Sequence, residues 1–265
     1  MPNCANCGAG LGGRYCPRCG QDSKGPPQNA VGLIGFFTST VTGLESKAVQ
    51  SFITLMTRPG RLTRAYIDGQ RVRYSSPVQL YLWCTAFFFL VQAISPVVRL
   101  DTDAGQVVSS LSAVSIGTEL SPETLRRLED QGTTLPVFAE RFDAAVTAYF
   151  PILLIALVAA AALMMALQFW GETALTHAVF ALHWAAFYFM LEVLRQLLPR
   201  LGDWVTPVSV LTTLVAVGYL YAAMRLVYRR GRIGTVVRAL LSIIAFAALL
   251  GTWLWSTIAL AEKIA

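Results

Sequence analysis

The sequence predicts an all-α membrane protein, and three observations support that class. Hydrophobic residues make up 55% of the 265 residues, charged residues only 14%, and the mean hydropathy is +0.56. A soluble domain of this size has about a quarter charged residues. Charge is also segregated: residues 1–76 hold nine Lys/Arg and three Asp/Glu, whereas residues 99–148 hold four and eight. The third observation is a set of apolar stretches, each near the ~20 residues that cross a bilayer.

These stretches predict five transmembrane helices. They are residues 78–98, 149–169, 174–198, 205–227 and 235–260. Together with the segment 99–148 between the first two, they form a predicted membrane bundle over residues 77–265. Within that segment, Ser121 is a predicted N-cap and Pro122 the first helical residue, so we expect one or two short helices over the outer membrane face. The helix after Pro136 is expected to run into the second span.

The N-terminus contains four cysteines in a C-x2-C-x8-C-x2-C pattern. They are Cys4, Cys7, Cys16 and Cys19. Two facing CxxC turns can supply four thiolates to a tetrahedral zinc, and Gly8 and Gly20 allow the positive φ that closes each turn. The spacing predicts a structural zinc ribbon over residues 1–22, folded by its metal because so short a segment has no apolar core. Two disulfides, a redox pair and rubredoxin-like iron are the alternatives.

Residues 23–76 are predicted to be a linker followed by cytoplasmic interfacial helices and an arginine-rich neck. Apolar residues recur at helical spacing over residues 47–57 and predict a short amphipathic helix that Pro59 ends. They are Ala48, Val49, Phe52, Ile53 and Met56. Eleven residues are too few to cross a bilayer.

Five arginines follow this helix and are candidates for contact with the membrane surface or lipid. They are Arg58, Arg61, Arg64, Arg71 and Arg73. An apolar stripe beside an arginine cluster suits the anionic cytoplasmic leaflet. The alternative is that the arginines only orient the first span.

The same arginines predict the topology. Basic loops stay in the cytoplasm, so the N-terminus lies inside, and five spans bring the basic sequence YRRGRIG at 228–234 inside as well. The C-terminus and residues 99–148 then lie outside. Metal-binding thiols need a reducing cytosol, which agrees independently with this orientation. The predicted location is the bacterial cytoplasmic (inner) membrane.

The third span contains a candidate intramembrane polar site. Its members are His177, His183, Glu192 and Arg195. Ionisable residues in spans are costly and are functional candidates by default. The two histidine rings point about 120° apart on one helix, so they cannot chelate a metal alone. The alternative is that the histidines hydrogen-bond across helices and that Glu192 pairs with Arg195 near the outer surface.

Three stretches together resemble a bacterial family of multi-pass membrane proteins of unknown function. They are CANCGAGLGGRYCPRCGQ, TRPGRLTRAYIDGQRVRYSSPVQLYLW and THAVFALHWAAFYF. In that family the third region often carries Glu-His and then His-x-His. Here Thr176 precedes His177, and Ala185 stands where the last histidine would be. The resemblance implies a zinc ribbon followed by a membrane bundle, and it supplies no activity.

The sequence favours a non-enzymatic adaptor or scaffold whose ribbon docks a cytoplasmic or membrane protein partner. No GxSxG, HExxH, P-loop or dinucleotide motif is present, and the membrane accounts for the basic clusters without nucleic acid. One alternative is a small transporter or channel-like protein that uses His177, His183 and Glu192. Such a five-span transporter would have to form an oligomer. A weaker alternative is a membrane-embedded enzyme acting on lipid or peptide.

Overall fold

The computed structural model describes residues 2–24, 46–94, 98–101, 106–109, 116–198 and 205–264. The described residues form eight helices. These are α1 (Ser46–Thr57), α2 (Arg61–Ile67), α3 (Pro77–Gln92), α4 (Pro122–Gln131), α5 (Leu135–Gln168), α6 (Ala174–Leu197), α7 (Val205–Tyr228) and α8 (Arg232–Ile264). Three short strands precede α4: β1 (Val98–Asp101), β2 (Gln106–Ser109) and β3 (Ile116–Glu119).

Four of the helices are long and apolar enough to cross a membrane. They cover Leu135–Gln168, Ala174–Leu197, Pro207–Tyr228 and Arg232–Leu260. Each corresponds to one of the last four predicted spans. The chain is therefore that of an integral membrane protein.

The prediction for the first span was wrong in its C-terminal end. α3 stops at Gln92 instead of continuing to residue 98, and its 16 residues extend only about 24 Å. Ser95 and Pro96 follow in the sequence. A proline has no N–H for the helix and disfavours helical geometry in the residue before it. Residues 95–97 lie outside the described part of the chain.

The segment 99–148 contains the predicted helices and, in addition, a sheet. The Ser121 side chain caps α4 by accepting a hydrogen bond from the Thr124 N–H at 3.2 Å, and α5 continues without interruption into the second span. The three strands form an antiparallel sheet in the order β1-β2-β3. The all-α prediction missed this sheet. Four-residue strands depend on pairing with one another more than on a local pattern.

The chain divides into two compact units. Unit 1 is Met1–Phe87, Met165–Phe189 and Gly218–Ala239; unit 2 is Phe88–Met164, Met190–Val217 and Leu240–Ala265. α3, α5, α6, α7 and α8 each continue from one unit into the other. In unit 2, Phe150 packs edge-on against Trp253 with ring centroids 4.6 Å apart. In unit 1, Phe187 stacks on Tyr219 at 3.6 Å.

Within unit 1, the ends of four helices meet. Phe169, which follows α5, stacks on Tyr228 at the end of α7 with centroids 3.8 Å apart. His177 in the first turn of α6 hydrogen-bonds through Nδ1 to the Tyr228 hydroxyl at 3.1 Å. Arg238 in α8 donates from Nε to the Gln168 carbonyl at 3.1 Å. We call this region the basic end, after its arginines Arg225, Arg229, Arg230, Arg232 and Arg238.

Candidate metal centre and polar residues of the spans

The two CxxC sequences form matching turns. The Gly8 N–H donates to the Cys4 carbonyl at 2.8 Å, and the Gly20 N–H donates to the Cys16 carbonyl at 2.9 Å. Both glycines have positive φ, 76° and 72°, a conformation that costs little without a Cβ. Each turn therefore reverses the chain directly after a cysteine pair, and the sequence predicted this role for both glycines.

The four thiols converge on one point. Sγ of Cys4 lies 3.6 Å from Sγ of Cys19, and Sγ of Cys7 lies 3.6 Å from Sγ of Cys16. All four sulfurs lie within 4.8 Å of one another. A disulfide needs sulfurs about 2.05 Å apart, whereas sulfurs placed tetrahedrally at 2.3 Å from zinc are about 3.8 Å apart. All four cysteines are free, and their arrangement can hold a metal ion.

The pKa values of two of the four thiols are shifted in opposite directions. Hydrogen bonds from the backbone of Cys19 and then of Arg18 lower the pKa of Cys16 to about 6. At Cys7, a backbone hydrogen bond from Ala9 acts to lower the pKa, but desolvation and the other three thiols raise it to about 11. Backbone hydrogen bonding therefore favours the thiolate form at Cys16 more than at Cys7. A bound cation would displace the remaining protons, since the thiolate is the ligand form.

One glutamine fixes the cysteine-containing segment to the neck, the name used from here on for residues 46–76, which include α1 and α2. The Gln21 side chain donates from Nε2 to the Gly69 carbonyl at 2.7 Å and accepts the Arg71 N–H at Oε1, at 3.2 Å. Gln21 is buried. Gly69 has a φ of +88°, and a Cβ there would lie only 2.9 Å from the Cβ of Ala5. We call these four residues the ribbon clamp.

The ribbon clamp predicts that Gln21→Ala loosens the contact between the ribbon and the neck without changing the metal content. Two hydrogen bonds of about 0.5–1.5 kcal/mol each would be lost, while the cysteines would keep their arrangement. We expect unchanged metal content and faster amide hydrogen exchange at residues 69–71. Ser23→Ala is the control, because the Ser23 hydroxyl bonds only within the ribbon, to the Arg14 carbonyl. Unchanged exchange at residues 69–71 would contradict the clamp.

Three of the five neck arginines contact side chains of the neck itself. The pairs are Arg64 with Asp68, Arg71 with Tyr66, and Arg73 with Tyr74. The Arg64–Asp68 ion pair has an Nη2–Oδ1 distance of 2.6 Å. The two guanidinium groups over tyrosine rings each lie 5.5 Å from the ring centroid. Arg58 and Arg61 are instead exposed at the turn between α1 and α2, so they are the better candidates for lipid contact.

The two histidines of α6 are both buried and hydrogen-bonded to other elements. His183 Nδ1 lies 2.9 Å from the Thr63 hydroxyl in α2, and His177 contacts Tyr228 in α7, as described above. Among the described residues, the four cysteines are the only group of three or more His, Cys, Asp or Glu side chains close enough to share a metal. The histidines therefore join elements and do not form a common metal site.

Glu192 and Arg195 form the predicted ion pair. Arg195 Nη2 lies 2.7 Å from Glu192 Oε2, and Arg195 Nε donates to the same oxygen at 2.8 Å. Both residues are buried, at 4% and 9% exposure. The Arg195 side chain folds back along α6 to its partner three residues earlier.

A buried pair of this kind predicts non-additive mutations. Arg195→Met leaves the Glu192 carboxylate buried without this partner, which typically costs about 3–5 kcal/mol. The double variant Glu192→Leu/Arg195→Met removes both charges and should recover most of that loss. Unfolding in mixed micelles measures the loss in free energy of unfolding for the single and for the double variant. Equal destabilisation of the single and double variants would contradict the pairing.

No pattern in the sequence indicates the partners of these side chains. Thr63, Tyr228 and Gly69 were not singled out, because each lies 48 or more residues from the residue it contacts. None belongs to a motif that indicates a contact, and a threonine or tyrosine in an apolar stretch has no distinguishing spacing. Only the packing of unit 1 identifies them.

One stretch of the chain is similar to a known family. Residues 45–89 match the model of a family described as a protein of unknown function, DUF3667. The match covers α1, α2 and most of α3, and it leaves the four cysteines outside. No curated protein and no solved structure matches the chain. Over residues 45–89 the protein is therefore similar to a family to which no activity is assigned.

Proposed function

We propose that the protein is a non-enzymatic adaptor or scaffold of the bacterial inner membrane whose ribbon binds a protein partner in the cytoplasm. The ribbon clamp is the observation that carries this proposal. Two hydrogen bonds from one buried side chain hold the ribbon against the neck, so it is a fixed part of unit 1. A preorganised surface loses less entropy when a partner binds, and a closed four-cysteine site has no open position for chemistry.

Zinc is the metal proposed for the ribbon. Four cysteine sulfurs in tetrahedral spacing suit zinc, and a reducing cytosol keeps them available as ligands. Iron in a rubredoxin-like site is the alternative. Metal analysis of the purified chain, together with the visible absorption that iron would add, distinguishes the two.

An exposed basic and aromatic patch is the proposed docking face of the ribbon. Tyr15 is 58% exposed, and the Arg14 guanidinium lies 5.3 Å from its ring centroid. Arg18 is exposed in the same ribbon. Tyrosine and arginine are the residue types that most often dominate binding energy at interfaces. Because Arg14 also forms an ion pair with Asp22 at 3.0 Å, the exposed Arg18 is the positive charge that an acidic partner surface would complement.

The proposed topology places the N-terminus in the cytoplasm and the C-terminus outside. Unit 1 contains both the ribbon and the basic end, as the positive-inside rule requires of cytoplasmic elements. In unit 2, Arg127 of α4 donates to the Lys263 carbonyl at 3.4 Å, so the end of α8 lies beside the outer segment. α3 is proposed as the fifth crossing, because five crossings place the basic sequence at 228–234 on the same side as the arginine-rich N-terminal part of the chain.

Reporter fusions test this topology. Alkaline phosphatase folds only outside the cytoplasm, so a fusion after Ala265 should be active. A fusion before the ribbon should be inactive, since five crossings put the two termini on opposite sides. Activity at neither terminus or at both would mean an even number of crossings and would exclude α3 as a span.

The adaptor proposal is tested by cross-linking, detergent extraction and mass spectrometry. One defined partner should copurify with the wild type and be lost with Tyr15→Ala/Arg18→Glu and with Cys4→Ser/Cys7→Ser. Arg126→Glu is the control, because it reverses an exposed charge in α4, far along the chain from the ribbon. The proposal fails if all variants recover the same proteins, or if the purified chain alone moves or converts a solute.

A second candidate, a small transporter, is favoured by one observation in α6. Both amide atoms of Gln196 are buried without a hydrogen-bond partner in the described chain, one turn beyond Glu192. Unpartnered polar atoms in a span are costly and suit a polar solute. This candidate predicts solute flux in proteoliposomes that Glu192→Gln or His183→Ala abolishes. Flux that persists in both variants, or is absent from the wild type, would exclude this path.

A further inference from the structure

α1 turns its apolar stripe away from the rest of unit 1. The exposed large residues are Val49, Phe52 and Ile53, at 64%, 40% and 55%. The buried side consists of Ser51, Thr54 and Leu55. In a soluble protein the apolar face of a surface helix packs inward. α1 has the opposite arrangement, because its apolar stripe faces outward. An apolar face turned outward requires an apolar environment outside.

The buried side of α1 is fixed by hydrogen bonds. The Ser51 hydroxyl accepts the Ser75 N–H at 2.9 Å. The Tyr219 hydroxyl of α7 donates to the Leu55 carbonyl at 2.7 Å. These bonds, to a neck residue and to a span, set which side of α1 faces outward.

The contacts of α1 with α7 and of α2 with α6 also show how far from the basic end the two helices lie along the spans. Tyr219 lies nine residues before Tyr228, the last residue of α7, or about 13 Å from the basic end. His183, which contacts Thr63 of α2, lies nine residues after Ala174, the first residue of α6. Both helices of the neck therefore touch spans about 13 Å in from the basic end.

The apolar surface of the spans extends as far as the basic end itself. Leu167 near the end of α5 is 61% exposed, Leu226 near the end of α7 is 44% exposed, and Ile233 at the start of α8 is 82% exposed. Such residues mark lipid-facing surface in a membrane bundle. A point about 13 Å further in lies near the middle of a hydrocarbon core that is about 30 Å thick.

The turn between α1 and α2 lies nearer the basic end. Gly60 packs so closely on Ala223 that a Cβ at Gly60 would lie 2.9 Å from Ala223 backbone atoms. Ala223 is five residues from the end of α7, about 7 Å. From that level the long side chains of Arg58 and Arg61 can extend towards lipid phosphates.

We infer that α1 is embedded in the cytoplasmic half of the bilayer and that Val49, Phe52 and Ile53 contact lipid acyl chains. The neck is then a re-entrant element packed on α6 and α7, and not a helix lying on the membrane surface. Three of the polar groups that such an element brings into the apolar layer are hydrogen-bonded, as membrane-buried groups require: the Leu55 carbonyl by Tyr219, the Ser51 hydroxyl by Ser75 and the Thr63 hydroxyl by His183. The buried Tyr66 hydroxyl of α2 has no hydrogen-bond partner among the described residues. The assignment to the cytoplasmic half rests on the proposed topology, but the embedding of α1 does not depend on the adaptor proposal.

Site-specific photocross-linking tests the inference in native membranes. The full chain carries p-benzoylphenylalanine at position 52, at position 244 on the lipid-facing side of α8 (Ile244, 68% exposed), or at position 15 in the ribbon (Tyr15). After irradiation, mass spectrometry identifies the adducts. We expect lipid acyl-chain adducts at positions 52 and 244 and none at position 15.

Two results would overturn the inference. One is an adduct at position 52 with a second copy or another protein. The other is no lipid adduct at position 52 while position 244 gives one, which would mean that α1 faces water. If the probe at position 52 prevents folding, the same comparison is made at position 53, which is exposed on the same face.

Discussion

Cys16→Ser should reduce the bound metal from about one ion per chain to almost none and unfold the ribbon. Cys16 is one of the four cysteines that can hold the metal ion and has the lowest pKa of the thiols whose pKa is shifted. Structural zinc in small modules contributes on the order of 10–16 kcal/mol of apparent binding energy, which is also their folding energy. Mass-spectrometric metal analysis measures the loss, and amide hydrogen exchange over residues 2–24 measures the unfolding. Exchange should also rise at residues 69–71, because the clamp loses Gln21.

Cys84→Ser is the matched control for this experiment. Cys84 is a free, buried thiol in α3 that belongs to no candidate metal-binding group among the described residues, so the variant should keep its metal and its protected ribbon. A Cys16→Ser protein that retains stoichiometric metal would show that the four thiols are not the ligand set. Retained protection after complete metal loss would show that the ribbon folds without its ion.

Gly60→Ala should be the most destabilising single-methyl substitution in the neck. Gly60 has a φ of +73°, a conformation that costs an L-residue about 1–2 kcal/mol. The added Cβ would also lie 2.9 Å from the Ala223 Cα and carbonyl oxygen, and overpacking of this kind costs about 1–3 kcal/mol. Together these predict a loss of about 2–5 kcal/mol in mixed-micelle unfolding.

Gly132→Ala is the control that separates the cost of a positive φ from the cost of the close contact. Gly132 has a φ of +60°, but a Cβ there would meet no atom within 4 Å. It should therefore lose only the conformational part, about 1–2 kcal/mol. Equal losses at both positions would mean that the turn does not pack closely on α7, and the depth assigned to that turn would lose its support.

The features that could be predicted from sequence depend on local interactions. The cysteine spacing and the glycine after each pair define two turns of a few residues, so the convergence of four thiols follows from the chain itself. The last four spans follow from the length of apolar runs. Ser121 and Pro122 predict the start of α4 because N-capping involves only the next few residues.

Tertiary structure alone decided how these elements are joined. The apolar periodicity of α1 indicated two faces, but only the bonds from Ser75 and Tyr219 determine which face points outward. His183 and Thr63 lie 120 residues apart, and the sheet in segment 99–148 forms by pairing between separate short strands. Contacts between distant residues depend on where packed helices place them, and neither composition nor periodicity encodes that position. The sequence therefore determined a four-cysteine cluster that can hold a metal ion and a membrane bundle, while packing decided that the ribbon is clamped to the neck and that α1 lies beside the middle of the spans.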